Sequence, residues 1–119
     1  MSWSVLIVDD HAGFRRYARR LLETSGLTVV GEACDGTTVQ DAVDSLQPDI
    51  VLLDIMLSDT DGFTVAERLA QNPDPPIVVL TSSRDAADFG SRLDHSRANG
   101  FIHKDDLSGQ ALVAHVRER

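Results

Sequence analysis

The chain has 119 residues, 42% of them apolar and 25% charged, which is enough for one globular domain with a single core. Its formal net charge of −8 disfavours direct binding of nucleic-acid phosphates. A single cysteine, Cys34, excludes an internal disulfide and a cysteine-built zinc site, and we expect its thiol to be buried. Without a long apolar run or a secretory signal, the sequence predicts a cytoplasmic protein with no membrane contact.

Strand-like and helix-like segments alternate along the whole chain. Short runs rich in β-branched residues predict the strands, and apolar residues at helical spacing predict the helices. In chain order the predictions are strand 5–8, helix 14–22, strand 27–33, helix 39–46, strand 50–53, helix 63–70, strand 77–80, helix 86–97, strand 101–102 and helix 112–116. The helix predicted over 86–97 is polar and only weakly periodic, and the last helix is predicted to reach the end of the chain. The alternation predicts an α/β domain with a parallel sheet covered on both faces.

Polar residues follow the predicted strands at their carboxyl ends. Asp9 and Asp10 end the first strand, Asp54 the third, Thr81 the fourth and Lys104 the fifth. Ligands of such sheets gather at this edge, so we expect these side chains to lie close together. Two carboxylates 4 Å apart repel by roughly 4 kcal/mol at an effective dielectric of about 20. The cluster therefore predicts a bound cation or proton, and its oxygen ligands suit Mg²⁺.

Asp54 is the candidate nucleophile because it follows a wholly apolar strand and has little freedom. With an ordinary pKa of about 3.9 it is ionised at neutral pH, and an ionised carboxylate can attack a phosphoryl group. In this hypothesis Mg²⁺ bridges Asp10, Asp54 and one phosphoryl oxygen. Lys104 and the Thr81 hydroxyl contact the other two oxygens. Each of these residues alone is more often a cap, a turn residue or a surface charge, but their combination at different strand ends indicates a site.

The motifs LIVDDH, VLLDIMLSDTDGF, VVLTSS and GFIHKDD resemble those of the response-regulator receiver domain of two-component signalling. The pattern VVGEACDG, together with KDD, is similar to receivers of the NarL/LuxR type. The resemblance covers essentially the whole chain and implies one receiver domain over 1–119, with no output domain in this sequence. It also implies a flavodoxin-like, doubly wound (βα)5 fold with a five-stranded parallel sheet in the order 2-1-3-4-5.

The resemblance also implies a role for each residue of the site. Asp54 would be the phosphoacceptor, with Thr81 as the switch hydroxyl and Lys104 as the phosphate partner. Asp10 and Asp54 would bind Mg²⁺ directly, Asp9 through water, and the Met56 carbonyl would complete the protein ligands. Phe101 matches the aromatic residue that turns inward when Thr81 moves. Met56 and Ser83 occupy the positions that tune the lifetime of the phosphoryl group.

The partners implied by the resemblance are a sensor histidine kinase as phosphodonor and a second copy of the chain in a phosphorylation-dependent homodimer. The output would be transcriptional, and the only catalysis would be that of the domain's own phosphorylation and dephosphorylation. The sequence departs from the family pattern at three positions. Ser58 replaces a usual proline, Arg97 a frequent glycine and His103 an apolar residue. His11, next to the acidic pair, is expected to cap the first helix or to be solvated.

Three other functions are compatible with parts of this pattern. A pseudo-receiver, which binds partners without being phosphorylated, is the main alternative, kept open by the altered region around the fourth helix. A Mg²⁺-dependent phosphohydrolase would need an acid two residues after the nucleophile, where this chain has Met56. Flavin binding would need a phosphate-cradling loop after the first strand, and DDHAG is too acidic for one.

Overall fold

A computed structural model describes residues 2–117 of the protein and contains one sheet of five parallel strands. The strand order is β2-β1-β3-β4-β5, which confirms the predicted doubly wound topology. The strands are β1 (Ser4–Val8), β2 (Thr28–Ala33), β3 (Ile50–Asp54), β4 (Ile77–Ser82) and β5 (Gly100–His103). The helices are α1 (Ala12–Thr24), α2 (Val39–Leu46), α3 (Gly62–Ala70), α4 (Ser91–Asp94) and α5 (Gly109–Arg117), with short 3-10 helices at Ala86–Phe89 and Lys104–Asp106.

The central strands are apolar throughout because both faces of the sheet are covered. In β1, Val5 and Ile7 pack into one core cluster with residues of α1 and α5. Leu6 and Val8 point to the other face and pack with residues of α2 and α3. A parallel sheet buried on both faces produces continuous apolar runs rather than alternation. This burial fixes where each strand ends, and so it fixes the polar residues that follow.

The prediction of one continuous helix over 86–97 is wrong. The segment forms a 3-10 helix at Ala86–Phe89, then Gly90 with φ of 55°, then the single turn of α4. A residue in the left-handed region interrupts a right-handed helix, and glycine adopts it without a side-chain clash. Neither short helix has a buried residue, so little packing is available to extend them.

Two further expectations concern the ends of elements. Cys34 is exposed, contrary to the prediction of a buried thiol, because β2 ends at Ala33 and the next residue lies in the loop. Helix α5 extends to Arg117, and the predicted continuation to the chain end lies outside the described residues. Within residues 2–117, no helix has the length and apolar character needed to cross a membrane.

Candidate functional site

The carboxyl ends of β1, β3 and β5 bring together the predicted acidic residues and the predicted lysine. Asp9 and Asp54 are buried, with 0% and 3% of their surface exposed. The Lys104 Nζ lies 2.7 Å from Asp9 Oδ2 and 3.5 Å from Asp54 Oδ2. Ligand atoms of Asp9, Asp10, Asp54 and His11 all lie within 4.8 Å of one another. The site is therefore a buried carboxylate cluster with one ammonium group.

Burial and the neighbouring carboxylate raise the pKa of Asp54 to about 6. Loss of hydration is the largest cause, followed by repulsion from Asp9. The Lys104 ammonium and the Met56 N–H, which donates to Asp54 Oδ1 at 3.2 Å, act in the opposite direction. The expectation of an unperturbed pKa is therefore wrong. The carboxylate nevertheless remains about nine-tenths ionised at pH 7, so it keeps its nucleophilic form.

The Lys104 ammonium is held by an aromatic ring as well as by the carboxylates. Its Nζ lies 4.3 Å from the centre of the Phe14 ring, in cation–π contact. The sequence pattern places Phe14 in the apolar stripe of the helix predicted over 14–22. The apolar spacing around Phe14 predicts a helix face, but it does not predict a contact with Lys104, which lies 90 residues further along the chain. The ring helps to fix the direction of the lysine side chain.

The loop that follows β1 is fixed by residues of α1 and β2. His11 occupies the N-cap position of α1 without a side-chain capping bond, and its side chain is 70% exposed. Its backbone N–H donates to Asp9 Oδ1 at 2.8 Å, and its Nδ1 lies 3.0 Å from Asp10 Oδ1. Arg15 donates from Nη1 to the Asp9 carbonyl at 2.6 Å and from Nε to Glu32 at 3.0 Å. These contacts hold the two acidic residues beside β3.

Thr81 lies opposite Asp54 in the register of β4 against β3. Its carbonyl accepts from the Ile55 N–H at 3.0 Å, which fixes the main chain at this point. Its hydroxyl is buried and has no hydrogen-bond partner within residues 2–117. A buried polar group without a partner costs about 1–3 kcal/mol. The hydroxyl is therefore available for a group bound at Asp54.

The loop between β3 and α3 is tightly packed against the main chain of Asp54. A Cβ on Gly62 would lie 2.6 Å from the Asp54 carbonyl oxygen, so no side chain fits there without displacing the loop. Asp61 caps α3 by accepting from the Thr64 N–H at 2.8 Å. The Met56 side chain is 47% exposed at the surface of this loop. The predicted role of the Met56 carbonyl as a metal ligand stays a prediction.

The two remaining predicted residues lie on the side of the site towards α4. Phe101 is half-buried, and its ring centre lies 6.2 Å from that of Phe89, which is 5.9 Å from that of Phe63. Ser83 is exposed, and its carbonyl lies 3.0 Å from His103 Nε2. The switch role of Phe101 and the lifetime role of Ser83 stay predictions. The contact between the Phe89 and Phe101 rings, which are tilted by 59° to each other, could not be predicted from the sequence because it depends on how the 3-10 helix packs.

Comparison with known proteins assigns the family. The family model of the response regulator receiver domain matches residues 5–117, and the chain belongs to this family. It is similar to the transcriptional regulatory protein YdfI of Bacillus subtilis, with 37% identity over 105 residues, 87% of this chain and 49% of the relative. It is also similar to the DNA-binding response regulator MtrA of Mycobacterium leprae, with 37% identity over 121 residues, 100% of this chain and 52% of the relative.

Among solved structures, the fold matches the signal receiver domain of NarL from Mycobacterium tuberculosis. The TM-score is 0.87 with 32% identity, and the match covers 99% of this chain and 98% of that one. The chain spans about half the length of YdfI and MtrA. A protein-glutamate methylesterase/protein-glutamine glutaminase of Symbiobacterium thermophilum is 43% identical over 102 residues, 84% of this chain but only 28% of that protein. The protein therefore contains a two-component response regulator receiver domain related to those of transcriptional regulators, within a family that also occurs in enzymes.

Proposed function

We propose that the domain accepts a phosphoryl group on Asp54 from a sensor histidine kinase and thereby changes a surface that controls output. The observation that carries this proposal is the convergence of three groups at one buried edge. The Asp54 carboxylate is largely ionised at pH 7, the Lys104 ammonium lies 3.5 Å from it, and the Thr81 hydroxyl has no partner within residues 2–117. A domain used only for phosphorylation-independent binding would not need this combination.

The transfer replaces one bond to phosphorus by another. A carboxylate oxygen of Asp54 attacks the phosphorus of the donor phosphohistidine, the new O–P bond forms, and the N–P bond breaks with its electron pair returning to the imidazole. Lys104 balances charge on the arriving phosphoryl oxygens, and the Thr81 hydroxyl donates a hydrogen bond to one of them. Asp9 keeps Lys104 in place through its 2.7 Å contact. The same residues favour hydrolysis of the aspartyl phosphate, and the domain needs no other catalytic activity.

The donor set fits Mg²⁺, the cofactor we propose for this step. Oxygen atoms of Asp9, Asp10 and Asp54 lie within 4.8 Å of one another, and hard oxygen ligands of this kind suit the ion. Asp10 and Asp54 would bind it directly, Asp9 through water, with the Met56 carbonyl as a further ligand. When bound, Mg²⁺ supplies neutralisation and alignment of the phosphoryl oxygens.

The output follows from a change at Thr81 and Phe101. When the Thr81 hydroxyl moves to the phosphoryl group it vacates space, and Phe101 turns inward and leaves its contact with Phe89. We propose that this change promotes a homodimer and, as the names of YdfI and MtrA suggest, controls transcription. Met56 and Ser83 flank the site and tune the phosphoryl lifetime. Residues 1–119 act as one receiver unit in the cytoplasm, and their net charge of −8 disfavours direct DNA contact by this domain.

The test is an intact-mass measurement after incubation with acetyl phosphate, with and without Mg²⁺. We expect one phosphoryl adduct that requires Mg²⁺, is removed by hydroxylamine and is absent from Asp54→Asn. Asp74→Asn, which removes an exposed carboxylate in the turn before β4, is the control and should be labelled normally. Absence of the adduct, under conditions that label a known receiver, would refute the proposal and favour the pseudo-receiver.

A further inference from the structure

His103, the last residue of β5, connects two loops that border the site. Its side chain is 20% exposed. The Asp105 N–H donates to His103 Nδ1 at 3.1 Å, and His103 Nε2 lies 3.0 Å from the Ser83 carbonyl oxygen. A main-chain N–H only donates and a carbonyl only accepts. These partners therefore correspond to the imidazole tautomer whose Nε2–H donates to Ser83 and whose Nδ1 lone pair accepts from Asp105.

We propose that His103 is a positioning residue that ties the loop after β4 to the turn bearing Lys104. The paired residues of β4 and β5 end at Ser82 opposite His103, so the side chain extends the connection one residue further, to Ser83. Ser83 lies two residues after Thr81, and Lys104 directly follows His103. The tie therefore holds the hydroxyl and the ammonium group of the site in one arrangement. The effect on Thr81 and Lys104 rests on the proposed function, whereas the tie itself, which consists of the hydrogen bonds of His103 with Ser83 and Asp105, does not.

Two acidic side chains flank the imidazole, one beside each ring nitrogen. Asp85 Oδ1 lies 3.7 Å from Nε2 on the side of the β4 loop, and Asp105 Oδ2 lies 3.7 Å from Nδ1 on the side of the 3-10 turn. The adjacent Lys104 directs its charge at Asp9 and Asp54. Neither flanking carboxylate is within hydrogen-bond distance of the ring, so the imidazole is held by the Ser83 carbonyl and the Asp105 N–H.

Two conservative variants separate the two hydrogen bonds. In His103→Asn, Oδ1 takes the place of Nδ1 and keeps the bond from Asp105, but the side chain is too short for Ser83. In His103→Gln, the amide nitrogen takes the place of Nε2 and keeps the bond to Ser83, but the acceptor for Asp105 is lost. His95→Gln is the matched control, because His95 is the exposed C-cap residue of α4 and its Nδ1 bonds to the Ser91 carbonyl at the start of that helix.

The first measurement uses the unphosphorylated protein and does not depend on the proposed function. Two-dimensional ¹⁵N–¹H spectra of the histidine ring should show His103 as the Nε2–H tautomer at pH 7.5. Amide hydrogen exchange over 83–85 should accelerate about fivefold in His103→Asn, the effect of losing one hydrogen bond, and stay within about twofold in His103→Gln and His95→Gln. The Nδ1–H tautomer, or equal exchange in His103→Asn and wild type, would overturn the tie.

The second measurement is the rate of phosphorylation by acetyl phosphate in saturating Mg²⁺. At pH 7.5, His103→Asn should react about fivefold more slowly than wild type, while His103→Gln stays within about twofold. Equal rates in both variants would overturn the positioning role. If wild type takes up no phosphoryl group, the proposed function and the positioning role both fail, and the ring spectra and exchange still decide the tie.

Discussion

Replacing Asp54 by asparagine should make the domain more stable at neutral pH. The folded state raises the pKa of this carboxyl from 3.8 to about 6, mainly because the side chain is buried and faces Asp9. A group whose pKa is raised binds its proton more tightly in the folded state, so ionisation at neutral pH opposes folding. A shift of about two units corresponds to about 3 kcal/mol as an upper limit.

The expected gain for Asp54→Asn is about 1–3 kcal/mol at pH 7.5, because the amide removes the buried charge but also the contact with Lys104. Lys104 keeps its shorter contact of 2.7 Å with Asp9, so the variant leaves no isolated ammonium group. The destabilisation is complete above the folded pKa and is relieved as pH falls through about 6 towards 3.8. The excess in the free energy of unfolding of Asp54→Asn over wild type should therefore be about 1 kcal/mol smaller at pH 5 than at pH 7.5.

Urea unfolding in EDTA at these two pH values measures the effect without bound metal. Asp74→Asn, which changes an exposed carboxylate, should alter the free energy of unfolding by less than about 0.5 kcal/mol at either pH. A variant at position 54 that is no more stable than wild type at pH 7.5 would refute the assignment of a buried, repelled charge. A stability difference between Asp54→Asn and wild type that is the same at both pH values would also refute it.

Three further substitutions test the structure around the site by the same urea unfolding. Gly62→Ala should lower the free energy of unfolding by more than about 2 kcal/mol, because its Cβ would lie 2.6 Å from the Asp54 carbonyl oxygen. Gly13→Ala is the control and should not destabilise the domain, because its Cβ would meet only Arg16, at 4.0 Å. Equal effects of the two substitutions would contradict the packing around Gly62. Thr81→Val should stabilise by about 1 kcal/mol by removing an unpaired buried hydroxyl, and a loss of stability would reveal a hidden partner. Glu32→Gln should destabilise by about 1 kcal/mol through lost pairing with Arg15 and Arg19. These arginines lower the pKa of Glu32, so the stability difference between wild type and Glu32→Gln should persist above pH 4.5 and disappear as pH falls through the lowered pKa of Glu32. A stability difference that stays constant with pH would contradict the pairing.

The sheet and the edge that carries the site could be predicted because both follow from local patterns. Runs such as Ile50 to Leu53 are apolar at every position, which happens only when a strand is covered on both faces. The carboxyl ends of parallel strands share one edge, so Asp9, Asp54 and Lys104 could be placed on the same edge of the sheet. The reach of Lys104 past β4 to Asp54 and Asp9 is seen only in the structure. The predicted strands therefore needed correction only at their ends.

What could not be predicted depends on contacts between distant residues or on weak local signals. The Lys104–Phe14 contact joins residues from opposite ends of the chain. The pKa of Asp54 depends on burial, which a sequence does not quantify. The helix expected over 86–97 had only weak periodicity, and the break at Gly90 depends on its φ of 55°, which the sequence does not reveal. His103 differed visibly from the family pattern, but its partners Ser83 and Asp105 became known only from the fold.

The stability of the resting domain bears on the choice between the proposed function and a pseudo-receiver. Asp54 holds a buried charge beside Asp9, and Thr81 holds a buried hydroxyl that has no partner within residues 2–117. Both features oppose folding, and asparagine and valine would remove them without changing the size of either side chain greatly. A domain that only bound another protein through its surface would lose nothing by these replacements. Under the proposed function, the Thr81 hydroxyl gains a partner only when Asp54 is phosphorylated, and that difference between the two states is what allows phosphorylation to shift the conformational equilibrium.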